Sequence, residues 1–430
     1  MSLDAPTRSR QRIAAQIGIL VVLIAIAVLG HLYYGLRNHF FDLGVYRDAM
    51  LWWTSGHPLY DYTRPDETQG TLGFTYPPAG AFLLRPLASL SPTTLVVAFI
   101  VFAVVCLAAT TWWLTGRVSS RHGWDRWFLA CVVFLFTTGL MPVWFAFDFG
   151  QINFLLWAMV VFDLCVLAPR HSRFLGVGIG LATAIKLVPG IFIVYLLISR
   201  RTRGAIVAAG TAALATLLAG AAAPGDSTTF WTDRLLNGDG VGQLFYVMNQ
   251  SLNGALARLF QPEAPSRLIW LLLALPVLVY GMWRARRAAL AGDELVGMAL
   301  AGFVGSLISP LTWSHHIFWF APALLAMVDT AAGPTSQLAT VRSGLRNRWA
   351  LLAVSAVVLG TVSFDTLGYY EFSMRHPSGL IGLVLGNWMV WLMLLLVVVL
   401  PIDPARAAAD TPAESGAVGS GRPEAMPARP

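Results

Sequence analysis

Charge is scarce in this chain. Only 12% of its 430 residues are Asp, Glu, Lys or Arg, where a soluble domain carries about 25%. That shortage excludes an ordinary water-soluble globule, because too little polar surface remains to cover one. Cysteine is scarce as well. Cys106, Cys131 and Cys165 are odd in number and all lie in apolar stretches, which excludes a disulfide framework and reads as small buried hydrophobes. No A-x-A-type cleavage site follows the first apolar run, so that run is expected to stay as an uncleaved span. What the chain has in abundance is apolar length. Hydrophobic residues make up 57%, mean hydropathy is +0.65, and Ile17–Leu29, Leu95–Thr111 and Gly382–Leu400 contain no charge. Crossing a hydrocarbon core about 30 Å thick takes about 20 such residues. The sequence therefore predicts an all-α integral membrane protein.

The net charge of +7 does not point to nucleic acid, since the arginines sit in short clusters between apolar runs. That is the positive-inside pattern. Arg8, Arg10 and Arg12 place residues 1–12 in the cytoplasm, before a span at 13–31. Further spans are predicted at 92–115, 127–145, 151–168, 204–222, 267–284, 295–309, 317–331, 349–366 and 380–400. The run at 174–199 has arginine at both ends, so it is expected to turn near Pro189 and Gly190 as a hairpin of two short helices. Counting those two helices gives about twelve transmembrane helices over residues 13–400, with both termini inside. The extracytoplasmic segments are then 32–91, 146–150, 223–266, 310–316 and 367–379. Within the long first one, residues 77–89 are apolar but too short to cross and read as interfacial. The Ala-, Pro- and Gly-rich tail at 401–430 reads as disordered and cytoplasmic.

The informative polar residues gather on one predicted face. They are Asp42, Arg47, Asp48, Tyr60, Asp61 and Tyr76, then Asp148, Gln151 and Asn153, Lys186, Asn249, Gln250 and Asn253, and finally His315 and His316. Ionisable groups at membrane depth are costly and usually line a cavity. Taken alone, Asp42 reads equally as a helix N-cap or as a base sharing a helical face with Tyr46. Lys186 reads as a snorkelling side chain or as a phosphate contact. His315 and His316 are adjacent, so in a helix they point about 100° apart, and His316 is favoured to face the cavity. No ligand set for a metal accompanies them. The tryptophans Trp52, Trp53, Trp313 and Trp319 fit interfacial belts better than sugar platforms. GVGIG at 176–180 is a helix-packing surface, since no strand precedes it as a nucleotide loop requires.

FFDLGVYRDA (40–49), FTYPP (74–78), FDFGQIN (147–153), IKLVP (185–189), NQSLNGA (249–255) and LISPLTWSHH (307–316) together resemble the GT-C glycosyltransferases that use polyprenyl-phosphate-mannose. More narrowly they resemble the actinobacterial α-1,2-mannosyltransferases of phosphatidylinositol mannoside and lipomannan biosynthesis. The resemblance implies a GT-C fold and an extracytoplasmic active site in the cell membrane. It also implies inverting transfer of mannose from polyprenyl-phosphate-mannose to a mannosylated phosphatidylinositol, with no cofactor or metal. Asp42 lies where the family's catalytic Asp lies and would be the general base, with His316 supporting and Lys186 on the donor phosphate. Tyr46, Arg47, Tyr76, Asp148, Gln151, Asn153, Asn249, Gln250 and His315 would contact substrate. Expected partners are the lipid-linked donor, the glycolipid acceptor and membrane lipids. A related arabinofuranosyltransferase using decaprenyl-phosphate-arabinose is the alternative enzyme. A lipid or sugar transporter ranks lower, because no broken helix in the second half matches the one at 174–199.

Overall fold

The computed structural model describes residues 4–66, 69–235, 242–261, 263–334, 341, 345–363 and 379–408. The expected cytoplasmic residues 1–3, most of the segment at 367–379 and the tail from 409 lie outside them, as does part of 223–266. Among the described residues the chain is helical apart from one small hairpin, β1 (Thr63–Asp66) with β2 (Gly70–Gly73), paired antiparallel with Thr63 opposite Gly73.

Four helices are long and apolar enough to cross a membrane: α1 (Asp4–Tyr34, apolar from Arg10), α4 (Pro92–His122), α10 (Thr202–Ala222) and α13 (Arg267–Leu290). Their ends follow local chemistry. In α4, Ser91 caps the start by accepting from the Thr94 amide at 3.2 Å, Pro92 occupies the first turn, and Gly123 stops the helix at φ 64°. This is the usual pairing of an N-terminal proline with a left-handed C-terminal glycine. α1 presents most of its surface outward, as a lipid-facing helix does, and is tethered through Arg12 and Gln16 to Asp125 at 2.9 and 2.7 Å.

Shorter elements fill the space between. α2 (Phe41–Thr54) and α3 (Pro78–Leu84), with a 3-10 turn at Arg85–Ser89, lie in the segment between α1 and α4. The stretch expected as one span at 127–145 is broken: α5 (Arg126–Thr138) ends before Gly139, and α6 (Met141–Phe149) restarts with Pro142 in its first turn. Proline lacks the amide that a continuous helix needs and clashes with the turn before it. The FAFDF stretch expected as a turn is thus the end of α6, and the reversal is confined to residues 150–152. α7 (Asn153–Phe162) runs into a π turn at Asp163–Leu167.

The segment at 174–199 is two helices, α8 (Val177–Ile185) and α9 (Ile191–Ile198), separated by extended Lys186 and a 3-10 turn at Val188–Gly190. A Cβ on Gly176 would stand 2.2 Å from the Gly204 carbonyl, and one on Gly180 2.4 Å from that of Ala208. Equal steps along both helices mean that α8 runs parallel to α10, with α9 returning between them. The small residues of GVGIG are what allow that approach.

After α11 (Pro224–Thr229) and α12 (Leu252–Phe260) comes the central helix α14 (Glu294–Ile308), buried from Glu294 to Leu307. Its glycines let neighbours close in: Gly297 meets Tyr195, and Gly302 faces the Trp319 ring. α15 (Phe320–Ala332), α16 (Arg348–Val362), α17 (Gly379–Leu385), α18 (Trp388–Val399) and α19 (Ala405–Ala408) complete the bundle. Its C-terminal end is fastened by buried charges. Arg406 pairs with Asp293 and Asp329, and Arg121 bridges Asp329 and Asp403 at 2.8 Å each. Buried carboxylates and guanidiniums are tolerated when pairing or hydrogen bonds satisfy them in this way.

Candidate active site

α2 delivers the first functional group. Asp42 lies in its first turn, but the cap position belongs to Phe40 and no side chain caps the helix, so Asp42 is not its N-cap. Tyr46, one turn on, shares its face. His39 and Phe40 both adopt left-handed backbone, at φ 48° and 57°, which costs on the order of 1 kcal/mol or more for each non-glycine residue. Asp148 holds that bend. Its carboxylate accepts from the Asn38 amide at 3.0 Å, the Arg37 amide at 3.2 Å and Asn38 Nδ2 at 2.6 Å, while its carbonyl accepts from the Phe40 amide at 2.7 Å. Asp148 is fully buried in this role, turned to the chain entering α2 rather than to a cavity.

The α6–α7 reversal supplies the second group. Gly150, at φ 76°, packs so close that a Cβ there would meet Leu43 Cβ at 2.5 Å. The approach sets Gln151 beside Asp42, where Gln151 Nε2 donates to Asp42 Oδ2. Gln151 Oε1 in turn accepts from the hydroxyls of Tyr46 at 3.0 Å and Tyr76 at 3.2 Å, and the two phenol oxygens are 2.7 Å apart. Burial raises both phenols above their ordinary value, so they remain protonated donors. Asp42 itself is raised to about 6, chiefly by burial, with the Gln151 hydrogen bond and the charges of Lys186 and Arg64 opposing. A half-buried carboxylate poised near neutrality suits a general base.

The third group comes from the break between α8 and α9. Gly80 of α3 lies against the Ile185 carbonyl, where a Cβ would be at 2.8 Å, and this contact puts Tyr76 over Lys186. Lys186 Nζ donates to His316 Nε2 at 2.9 Å, Asn153 Oδ1 at 3.1 Å and Tyr76 Oη at 3.4 Å, and stands 4.9 Å from the Tyr76 ring centre. Three partners use all three protons of an ammonium. His316 must accept there, so it is neutral with its proton on Nδ1, consistent with burial and the Lys186 charge lowering it well below the usual imidazole value. Asn153 also donates to the His315 carbonyl at 2.8 Å. His315 is buried with neither ring nitrogen bonded, 4.9 Å from the His316 ring.

One unbroken chain therefore links Asp42, Gln151, Tyr46, Tyr76, Lys186 and His316, with Asn153 beside it. Beyond Lys186 opens a narrow slot lined by Leu156, Trp157, Ile191, Phe192 and Trp319 among others. These apolar residues carry no chemical signal in sequence, and only the fold assembles them. Other expected contacts lie elsewhere. Arg47 donates to the Leu90 carbonyl at 2.9 Å and pairs with Asp48. Asn249 and Gln250 are fully buried. Asn249 accepts from the Thr312 amide at 3.0 Å, and Gln250 donates to the Val247 and Gly386 carbonyls at 2.6 and 2.7 Å. Those three side chains tie loops together. Among the described residues no group of three or more His, Cys, Asp or Glu is placed to hold a metal ion.

A carboxylate, a neutral relay and a lysine beside a largely apolar slot, held on short helices and turns of a chain with four membrane-length helices, characterise a membrane-associated transfer enzyme. The chain belongs to glycosyltransferase family 87, which residues 74–310 match. It is 36% identical over 305 residues, 66% of this chain and 68% of the relative, to a polyprenol-phosphate-mannose-dependent alpha-(1-2)-phosphatidylinositol mannoside mannosyltransferase of Mycolicibacterium smegmatis. A protein of the same description from Mycobacterium tuberculosis is 33% identical over 324 residues, 72% of this chain and 75% of the relative. A phosphatidylinositol pentamannoside mannosyltransferase of M. smegmatis is 31% identical over 320 residues, 71% of this chain and 72% of the relative. No solved structure matches the chain.

Proposed function

We propose that this enzyme transfers mannose from polyprenyl-phosphate-mannose to a mannosylated phosphatidylinositol, forming an α-1,2 linkage with inversion on the extracytoplasmic side of the cell membrane. The continuous hydrogen-bonded chain from Asp42 to Lys186 carries this reading, together with what the relatives are described as using. The two ends of the chain suit the two ends of a displacement. At one end, Asp42 takes the proton of the acceptor hydroxyl as its oxygen attacks the anomeric carbon. At the other, the bond from that carbon to the phosphate oxygen breaks, and polyprenyl phosphate departs toward Lys186. The phosphate leaves as a stable anion, so no general acid is required; a positioned cation lowers the barrier by matching the developing charge. Gln151 orients the carboxylate. The Lys186 protons now spent on Asn153, Tyr76 and His316 turn to phosphate oxygens when donor binds. The slot lined by Leu156, Trp157, Phe192 and Trp319 takes the first prenyl units.

About twelve membrane helices, cytoplasmic termini and the site at the outer leaflet complete the proposal. The test is transfer by purified protein from labelled polyprenyl-phosphate-mannose to a panel of phosphatidylinositol mannosides, with linkage analysis. An α-1,2-mannosylated product that disappears in Asp42→Asn supports the reading. Transfer of arabinose alone, or full activity in that variant, overturns it.

A further inference from the structure

A second cavity, of about 770 Å³, lies at the other end of the bundle. The chain enters α8 just after Leu175, which lines this cavity, and leaves it on Lys186, while α14 starts in the cavity at Glu294 and reaches the apolar slot at Gly302. Arg117, Arg200, Arg201 and Arg203 converge on it against one carboxylate, that of Glu294. That carboxylate is already satisfied: Arg201 reaches its oxygens at 3.0 and 2.5 Å and the Tyr195 hydroxyl donates at 2.8 Å. Among the described residues no carboxylate pairs with Arg200 or Arg203. The N-terminus of the long helix α10 opens here too, with no side chain capping it, so backbone amides and the helix dipole add to the positive field.

Arginines that served only to orient the chain would have no need to converge on a concavity. Arg201 is held in place by its pair with Glu294. Of the four non-glycine residues with positive φ among the described residues, two, His171 (49°) and Arg200 (65°), line this cavity. Strain of that kind persists where surrounding structure imposes it and concentrates at binding sites. The guanidinium fork suits phosphate oxygens in particular. Within three residues in sequence of lining residues Leu175, Arg200 and Gly204, the side chains of Phe174, Leu197 and Ile206 are 55%, 55% and 67% exposed, apolar surface that favours an occupant bearing acyl chains.

We propose that this cavity binds a phosphate-bearing anion, and that its source is the headgroup of an acidic phospholipid seated in the leaflet opposite the Asp42–Lys186 site. The inference does not depend on which sugar the enzyme transfers.

The test uses the full chain in detergent with no mannosyl donor present, so its outcome is separable from that of the transfer assay. Bound lipid is counted by native mass spectrometry after exposure to equal amounts of phosphatidylglycerol and phosphatidylcholine, and inorganic phosphate is tried in a separate arm. Arg200→Asn with Arg203→Gln removes both unpaired guanidiniums while keeping a residue that tolerates left-handed backbone at 200. Wild type is expected to prefer phosphatidylglycerol by roughly tenfold, about 1.4 kcal/mol, and the double variant to lose that preference. Arginine-dependent capture of inorganic phosphate that displaces the lipid would assign the site to a soluble phosphate compound. An unchanged lipid preference in the variant, with no arginine-dependent phosphate binding, overturns the proposal. Circular dichroism on both proteins keeps a folding defect distinguishable from a binding one.

Discussion

Lys186 Nζ and His316 Nε2 lie 2.9 Å apart, with the lysine donating and a neutral imidazole accepting. The pair joins the α8–α9 break to the turn after α14. It also gives the ammonium a position from which it can exchange a protein partner for a phosphate oxygen.

Lys186 is the only lysine in the sequence, every other cationic side chain of constant charge being arginine. An amine-selective acylating reagent therefore reports on this one side chain, apart from the chain's N-terminus. Inactivation by the reagent is expected, with protection by polyprenyl phosphate. Lys186→Met should cut turnover by about 10²-fold or more, as loss of a charge-stabilising donor does. Reagent resistance of the wild-type enzyme would count against a phosphate role.

Asp42 must be ionised to accept a proton, and burial holds it at about 6. Activity should therefore rise with pH through about 6, from about one-tenth of the maximum at pH 5 to about nine-tenths at pH 7. Gln151 donates to the ionised form, so Gln151→Ala should move the acid limb to higher pH as well as lower the maximum. Stability is expected to follow the opposite sign. A carboxyl raised in the folded state favours folding in its protonated form, and this contribution fades as pH rises from about 4 to 6. The kcat/KM profile of both proteins checks the shift.

Asp148 holds the left-handed bend at His39 and Phe40 that leads into Asp42, so its loss is expected to act through Asp42 rather than on substrate. Asp148→Ala should lose about 1–3 kcal/mol of stability through the unsatisfied amides of Arg37 and Asn38, and turnover should fall about tenfold or more as Asp42 drifts. Asp148→Asn, which keeps one acceptor oxygen, should recover part of the turnover. Thermal midpoint and the split between kcat and acceptor KM separate this from a direct substrate contact, which would raise acceptor KM foremost.

Gly302 faces the Trp319 ring so closely that a Cβ would stand 2.1 Å from it. Gly302→Ala should push the indole across the apolar slot and raise the donor requirement, leaving the pH profile unchanged. A shifted acid limb would instead mean that the disturbance reached Asp42. Single-turnover transfer at several donor concentrations reads the difference.

The membrane class was legible in the sequence because it rests on local quantities, and the chemistry through the family resemblance that its motifs carry. Apolar length predicts membrane helices wherever a segment sits, and FFDLGVYRDA, FDFGQIN and IKLVP hold polar groups too costly to leave in lipid without use. The spacing of Asp42 and Tyr46 on one helical face also followed from helix geometry, which for His315 and His316 says only that the two rings point apart. Pairing across the bundle was decided only by the tertiary structure. Nothing in the local sequence says that Asp148 turns to Asn38 while Gln151 turns to Asp42, or that Tyr76 sits over Lys186; the close approaches of Gly150 to Leu43 and of Gly80 to Ile185 belong to packing between distant segments. Apart from Asn153, Lys186 and His316 the slot is lined by apolar residues and glycine, and in sequence those are indistinguishable from any lipid-facing helix. Hydropathy records how much a residue avoids water, whereas a site depends on which residues meet, and that is set by packing between segments far apart in the chain.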